Sequence, residues 1–177
     1  ELVADALAGR SGSRAEPDVP PAGDASPIRA ILPVHIGGHP CAIGELCEMA
    51  DDAGVAVVED AAHAFPASRD GRALGTWGTC GVYSFYATKT ITTGEGGMVV
   101  TADEELAKRM AVMRLHGIDR EVWDRYTSAT PSWQYAVVEA GFKYNMPDVL
   151  AAIGRVQLTR ARAFLEQRRA IARRYHE

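Results

Sequence analysis

Between Val55 and Val58 the chain runs through small and branched apolar residues with no polar break, then stops on two carboxylates, Glu59 and Asp60. A short run of this kind reads as a strand buried on both faces, the pattern of a parallel sheet flanked by helices. A carboxylate at its end is expected to point out of the sheet. From Ile28 onward the same logic extends along the chain. Strands are predicted at Ala30 to Val34, Val55 to Val58, Val82 to Tyr86 and Met98 to Val100, with a helix near Ile43 to Ala53. Thr101 and Glu104 have the spacing of a capping box for a helix reaching about Leu115. Two longer helices are predicted from Pro147, with Asn145 a suitable N-cap before them. The alternation predicts an α/β fold with a mostly parallel sheet and flanking helices. Three parts follow: 1–27, a flexible lead-in and insertion rich in Gly, Pro, Ser and Ala; 28–146, the sheet; and 147–177, the terminal helices.

The strand ending at Asp60 is followed by His63, and a second short strand carries Ser84 and runs into Lys89 and the glycine cluster Gly94, Gly96 and Gly97. Taken singly, each residue has an ordinary reading. Asp60 suits a solvated strand end or a helix N-cap, Lys89 a surface position, His63 a satisfied and partly buried site, and Ser84 a strand hydroxyl. Their order and spacing together carry the information.

The sequences VVEDAAH and SFYATKTITTGEGG, taken with RAILPVHIGGHP, LHGIDREVWDRY and GFKYNMPDVLAAIGRVQL, closely resemble the DegT/StrS family of sugar aminotransferases. The resemblance implies the large domain of a fold-type-I enzyme that uses pyridoxal 5'-phosphate. It implies that Lys89 forms a Schiff base with the cofactor aldehyde and that Asp60 pairs with the pyridine nitrogen to keep it protonated. Ser84 would donate to the cofactor phosphate and His63 would lie beside its phenolic oxygen. Asn145, in KYNMPD, matches an asparagine that reaches the phosphate from the neighbouring subunit of a homodimer. The reaction implied moves an amino group from glutamate to a keto group of a nucleotide-linked sugar, with the freed lysine as general base and acid. His116 to Ile118, with Trp123 and Tyr126, is similar to the branch forming 4-amino-4-deoxy-arabinose on a nucleotide carrier.

The match departs from the family at Thr90, where many relatives have asparagine directly after the lysine. The family's N-terminal cofactor segment and its C-terminal small domain have no counterpart, so the chain reads as an incomplete piece of a longer enzyme. A non-catalytic or regulatory relative on the same scaffold is the alternative. Another cofactor reaction, such as that of a desulfurase, would need a mobile catalytic cysteine, a context Cys80 lacks.

Composition bounds the remaining classes. With 177 residues, 47% hydrophobic and 24% charged, the chain is long enough for one core. A formal charge of −4 offers no electrostatic footprint for nucleic acid. The densest basic group, Arg168, Arg169, Arg173 and Arg174, interleaves with Leu165, Ile171 and Tyr175 and reads as a solvated helix face. Cys41, Cys47 and Cys80 have no paired spacing, and Cys47 fits the apolar stripe of a helix. His35, His39 and His63 lack the spacing of a zinc site, so no metal is expected. No apolar stretch has transmembrane length and no signal segment is evident, so no membrane association and a cytoplasmic location are expected.

Overall fold

The computed structural model describes residues 2–8, 27–119 and 135–177. The expected insertion at Gly9 to Ser26, and Trp123 and Tyr126, lie outside the described residues. Within the lead-in, Leu2–Leu7 forms a short helix, α1, in which leucine and alanine, good helix formers, fill four of the six positions.

Four strands form the main sheet: β1 (Ala30–Ile31), β2 (Ala56–Asp60), β5 (Cys80–Ser84) and β6 (Gly97–Val100). Their spatial order is β1-β2-β5-β6, with β1, β2 and β5 parallel and β6 antiparallel to β5. The expected parallel sheet is present, with an antiparallel edge. The first strand is shorter than predicted, since Pro33 has no N–H to donate, and pairing resumes only as an isolated bridge between Val34 and Asp60. A small hairpin of β3 (Ser68–Arg69) and β4 (Arg72–Ala73) lies between β2 and β5.

The helix predicted near Ile43 is α2, Ile43–Ala53, and it ends on Gly54 in the left-handed conformation that residues with a Cβ rarely adopt. Its apolar face gives Ile43 and Ala50 to a core with Val57, Ala61, Ala64 and Leu74, against which Cys47 packs as expected. Alternation along the paired strands places Val57, Glu59, Gly81 and Tyr83 on this core face. The opposite row, Val34, Asp60, Val82 and Val99, crosses the sheet in register, and its three valines are exposed among the described residues.

Several local expectations are corrected. Helix α3, Glu104–Met113, is capped by Asp103, whose Oδ1 accepts from the N–H of Glu105 and Leu106. Thr101 instead bridges strands and cap, donating to the Thr79 carbonyl at 2.7 Å and accepting from the Asp103 N–H. Past Pro147 there is one helix, α4, Asp148–His176, of 29 residues, because no proline or paired glycine interrupts the stretch. Its N-cap is Pro147, with no side-chain cap, while Asn145 accepts from the Lys143 ammonium. Gly154 lets α4 lie close to the segment after β5, since a Cβ there would stand 2.9 Å from Thr93 Cγ2.

Glu59 is also corrected. Its carboxylate turns into the core, fully buried, instead of leaving the sheet end.

Candidate active site

Three of the residues singled out in the sequence meet at one cavity of about 170 Å³ at the C-terminal ends of β2 and β5. His63 and Phe65 come from the turn after β2, Ser84 from the last position of β5, and Lys89 and Thr90 from the segment that follows. Gly37 enters from the turn after β1, and its N–H donates to His63 Nδ1 at 3.4 Å. Ligand groups collect at such strand ends because crossovers leave a crevice there.

The Lys89 segment is held by its own backbone. Phe85 N–H donates to the Gly96 carbonyl at 2.8 Å, Thr93 N–H donates to the Phe85 carbonyl at 2.9 Å, and Lys89 N–H donates to the Tyr86 carbonyl at 3.0 Å. Gly96 closes this loop at φ 149°, where a Cβ would stand 2.7 Å from Thr93 Oγ1 and from Met146 Cε. Both roles require glycine at Gly96. The loop presents Lys89 half-buried, with no hydrogen-bond or ion-pair partner for its ammonium among the described residues. An amine without a partner is available to react.

Ser84 Oγ accepts from the Tyr86 N–H at 3.3 Å, which leaves its own proton free to donate into the cavity. Asp60 does not line the cavity. Its Oδ1 accepts from the Ala62 N–H at 3.0 Å, and the strand register puts Asp60 on the same sheet face as Val82 and Ser84. Asn145 does not line the cavity of its own chain either. The structure thus brings His63, Ser84 and Lys89 together, keeps Asp60 on their face of the sheet, and leaves Asn145 apart.

Two participants escaped sequence reasoning. Arg168, taken for part of a solvated face, lines the cavity from α4. Glu59 organises the wall behind the site: it accepts from His35 Nε2 at 3.0 Å and from the N–H groups of Gly75, Trp77 and Gly78 at 2.8, 2.5 and 2.8 Å. His35 in turn accepts from the Cys41 N–H at Nδ1, at 3.3 Å, and its backbone N–H donates to the Asp60 carbonyl at 3.1 Å. The only hint of this in the sequence was a charged residue inside an apolar strand.

Charge in the buried wall is felt nearby. The Tyr83 phenol titrates above its ordinary value of 10.0, chiefly through burial and secondly through the Glu59 charge. The thiols of Cys41, Cys47 and Cys80 are raised for the same two reasons in the same order. A raised thiol is mostly protonated near neutral pH and a poor nucleophile, which argues against a cysteine-based reaction here.

Residues 15–177 match the model of the DegT/DnrJ/EryC1/StrS aminotransferase family. The chain is 50% identical over 149 residues to the uncharacterized protein MJ1066 of Methanocaldococcus jannaschii, covering 84% of this chain and 38% of that protein. Among solved structures, the PLP-form of Spr1654 from Streptococcus pneumoniae, provisionally described as a sugar aminotransferase, is similar with a TM-score of 0.72 and 29% identity. That match covers 84% of this chain and 40% of the other. A variant of the GDP-4-keto-6-deoxymannose-3-dehydratase ColD with bound GDP-perosamine is similar with a TM-score of 0.72 and 27% identity, covering 82% of this chain and 39% of that one. The chain spans about two fifths of the length of each.

Proposed function

This chain belongs to the DegT/DnrJ/EryC1/StrS aminotransferase family, and on that premise we propose that it carries the lysine-bearing part of a pyridoxal-phosphate-dependent sugar aminotransferase. In this reading an amino group moves from glutamate to a keto group of a nucleotide-linked sugar. The observation that carries it is the unpartnered Lys89 amine facing a cavity shared with Ser84 and His63.

The donor set fits the cofactor. Lys89 would hold its aldehyde, Ser84 would donate to its phosphate, and His63 would contact the phenolic oxygen. Asp60, on the same sheet face, would hold a proton at the ring nitrogen. The cofactor, when bound, supplies an electron sink for the charge left on a carbon that loses a proton. Lys89 Nζ, once released from the aldehyde, would be the base that takes the proton from the α-carbon of the amino donor, and the acid that delivers one to the carbon of the keto sugar. Thr90 places a hydroxyl at the cavity where many relatives have an amide. Asn145, engaged by Lys143 and outside its own chain's cavity, is assigned to the site of a second copy in a homodimer.

Support for a nucleotide-linked sugar comes from the family's range and from ColD, whose structure holds GDP-perosamine. The turn at His116 to Ile118 favours the branch forming 4-amino-4-deoxy-arabinose. A cytoplasmic location goes with such substrates. Among the described residues, no helix is long and apolar enough to cross a membrane.

The test is the visible absorption spectrum with added pyridoxal phosphate, recorded beside Lys89→Ala and before and after adding glutamate. A band that depends on Lys89 and moves to shorter wavelength with glutamate is expected. A spectrum identical in both proteins sinks the assignment.

A further inference from the structure

Between the exposed side chains of Val34 and Ile36 stands His35, whose imidazole is fully buried. Both ring nitrogens are engaged. Nδ1 accepts from the Cys41 N–H at 3.3 Å and therefore carries no proton, so Nε2 is the donor to Glu59 Oε2 at 3.0 Å. This hydrogen-bond pattern assigns one tautomer and one ring orientation, since turning the ring over breaks both bonds.

The backbone around His35 holds Asp60. The Asp60 N–H donates to the Pro33 carbonyl at 2.9 Å and the His35 N–H donates to the Asp60 carbonyl at 3.1 Å, so Asp60 commits both of its main-chain groups to this segment. The turn that follows is built on His35, whose carbonyl accepts from the Gly38 N–H at 3.1 Å, and it meets His63 twice. Gly37 N–H donates to His63 Nδ1 at 3.4 Å, and Gly38 passes so close that a Cβ there would stand 3.0 Å from the His63 carbonyl oxygen. One short segment thus touches both side chains assigned above to the ring nitrogen and the phenolic oxygen of the cofactor. An apolar side chain at position 35 would fill the same space, but apolar contact has no direction, whereas the two bonds of the imidazole do.

We propose that His35 is a positioning residue for the cofactor site: anchored on Glu59 and on the Cys41 N–H, it fixes the segment that sets Asp60 and His63. The proposal rests on the aminotransferase reading, which gives those two residues their chemistry. His35 itself does not line the Lys89 cavity, and its side chain lies with Glu59 on the core side of the sheet, so it acts only through the residues that it holds.

The experiment follows pyridoxal phosphate binding by absorption in the wild type, His35→Leu, His35→Gln, Asp60→Asn and the double variant His35→Leu with Asp60→Asn, beside the urea midpoint of each. His35→Leu fills the space without either bond, while His35→Gln returns an N–H to Glu59. His35→Leu is expected to raise the Kd about tenfold and to move the Lys89-dependent band in the direction that Asp60→Asn moves it. His35→Gln should recover most of both. In the double variant the rise in Kd should fall short of the product of the single effects by about threefold or more, because both changes act on one contact. Nitrogen NMR of the wild type without cofactor should show a proton on His35 Nε2 and none on Nδ1 at neutral pH.

The proposal is overturned if Nδ1 carries the proton, or if the single effects multiply in the double variant. It is also overturned if His35→Leu lowers the urea midpoint yet leaves the Kd within about twofold and the band unmoved, as a residue that serves only the fold would. Where His35→Leu folds poorly, the titrations are made in sucrose, which favours the compact state but replaces no hydrogen bond. Absence of the band from the wild type ends the aminotransferase reading and this role with it, whereas a wild-type band that the His35 variants leave unmoved ends this role alone.

Discussion

Glu59 and Asp60 are neighbours in the chain, yet their carboxylates belong to opposite faces of β2. Glu59 is fully buried among four donors on the core side, while Asp60 shares its face with Ser84 and the Lys89 cavity. Strand alternation alone enforces the division. One carboxylate builds the wall, and the other lies on the opposite face, where its Oδ1 accepts from the Ala62 N–H.

Replacing Glu59 tests the wall. Glu59→Gln keeps the size but turns an N–H₂ toward groups that are themselves donors, leaving at least one buried N–H without an acceptor. A stability loss on the order of 3 kcal/mol is expected, measured as a lower urea midpoint at unchanged slope. A loss below about 1 kcal/mol would show that the carboxylate does not hold the loop from Leu74 to Gly78.

Lys89→Ala should behave in the opposite way. Its ammonium has no partner among the described residues, so removing it changes stability by no more than about 0.5 kcal/mol. The same variant should lose the cofactor-dependent absorption completely. A large loss of stability would mean that Lys89 serves the fold, and would weaken its assignment as the reactive amine.

The contrast between these residues explains what could be read in advance. Helix α2 was legible because its apolar stripe lies within eleven consecutive residues and ends at Gly54, which adopts the left-handed conformation. His63, Ser84 and Lys89 were singled out by local order and spacing, and the fold brings these three to one cavity. The role of Glu59 was not legible, since its partners come from residue 35 and residues 75 to 78, and only the tertiary fold brings them to β2. Arg168 is exposed, as a solvated face requires, but its place beside the cavity was not legible for a related reason. Helical periodicity tells which face is polar, but not that this part of α4 lies beside the segment after β5, a placement that depends on the closeness of Gly154 to Thr93.

The cap of α3 separates two oxygens with similar local claims. Thr101 and Asp103 both stand before the helix, but Asp103 receives the two free N–H groups and Thr101 is committed to Thr79. Asp103→Ala should therefore cost about 1 kcal/mol, and Glu104→Ala no more than a few tenths, read from denaturant midpoints. Equal losses would restore the capping box that the spacing suggested.

Tyr83 makes the buried charge visible in a pH titration. Its hydroxyl donates to the Leu74 carbonyl at 2.5 Å, and burial, followed by the Glu59 charge, raises its pKa above the ordinary value of 10.0. Because the folded protein holds this proton more tightly than the unfolded chain, the unfolded state deprotonates first as pH rises. The stabilisation is thus fully present below about pH 10 and is lost as the pH climbs from there through the folded value. The three thiols, raised from 9.0 in the same sense, begin the decline about one unit lower. Wild-type denaturant midpoints should fall from about pH 9 upward. Tyr83→Phe removes the hydrogen bond and should be less stable at pH 7, but its curve should be flatter above pH 10. Ultraviolet titration of the phenol supplies the independent check: ionisation of the folded protein must lag that of the urea-unfolded chain. Coincident titrations would mean that neither burial nor Glu59 acts on the phenol, and that the core face of β5 is open to water.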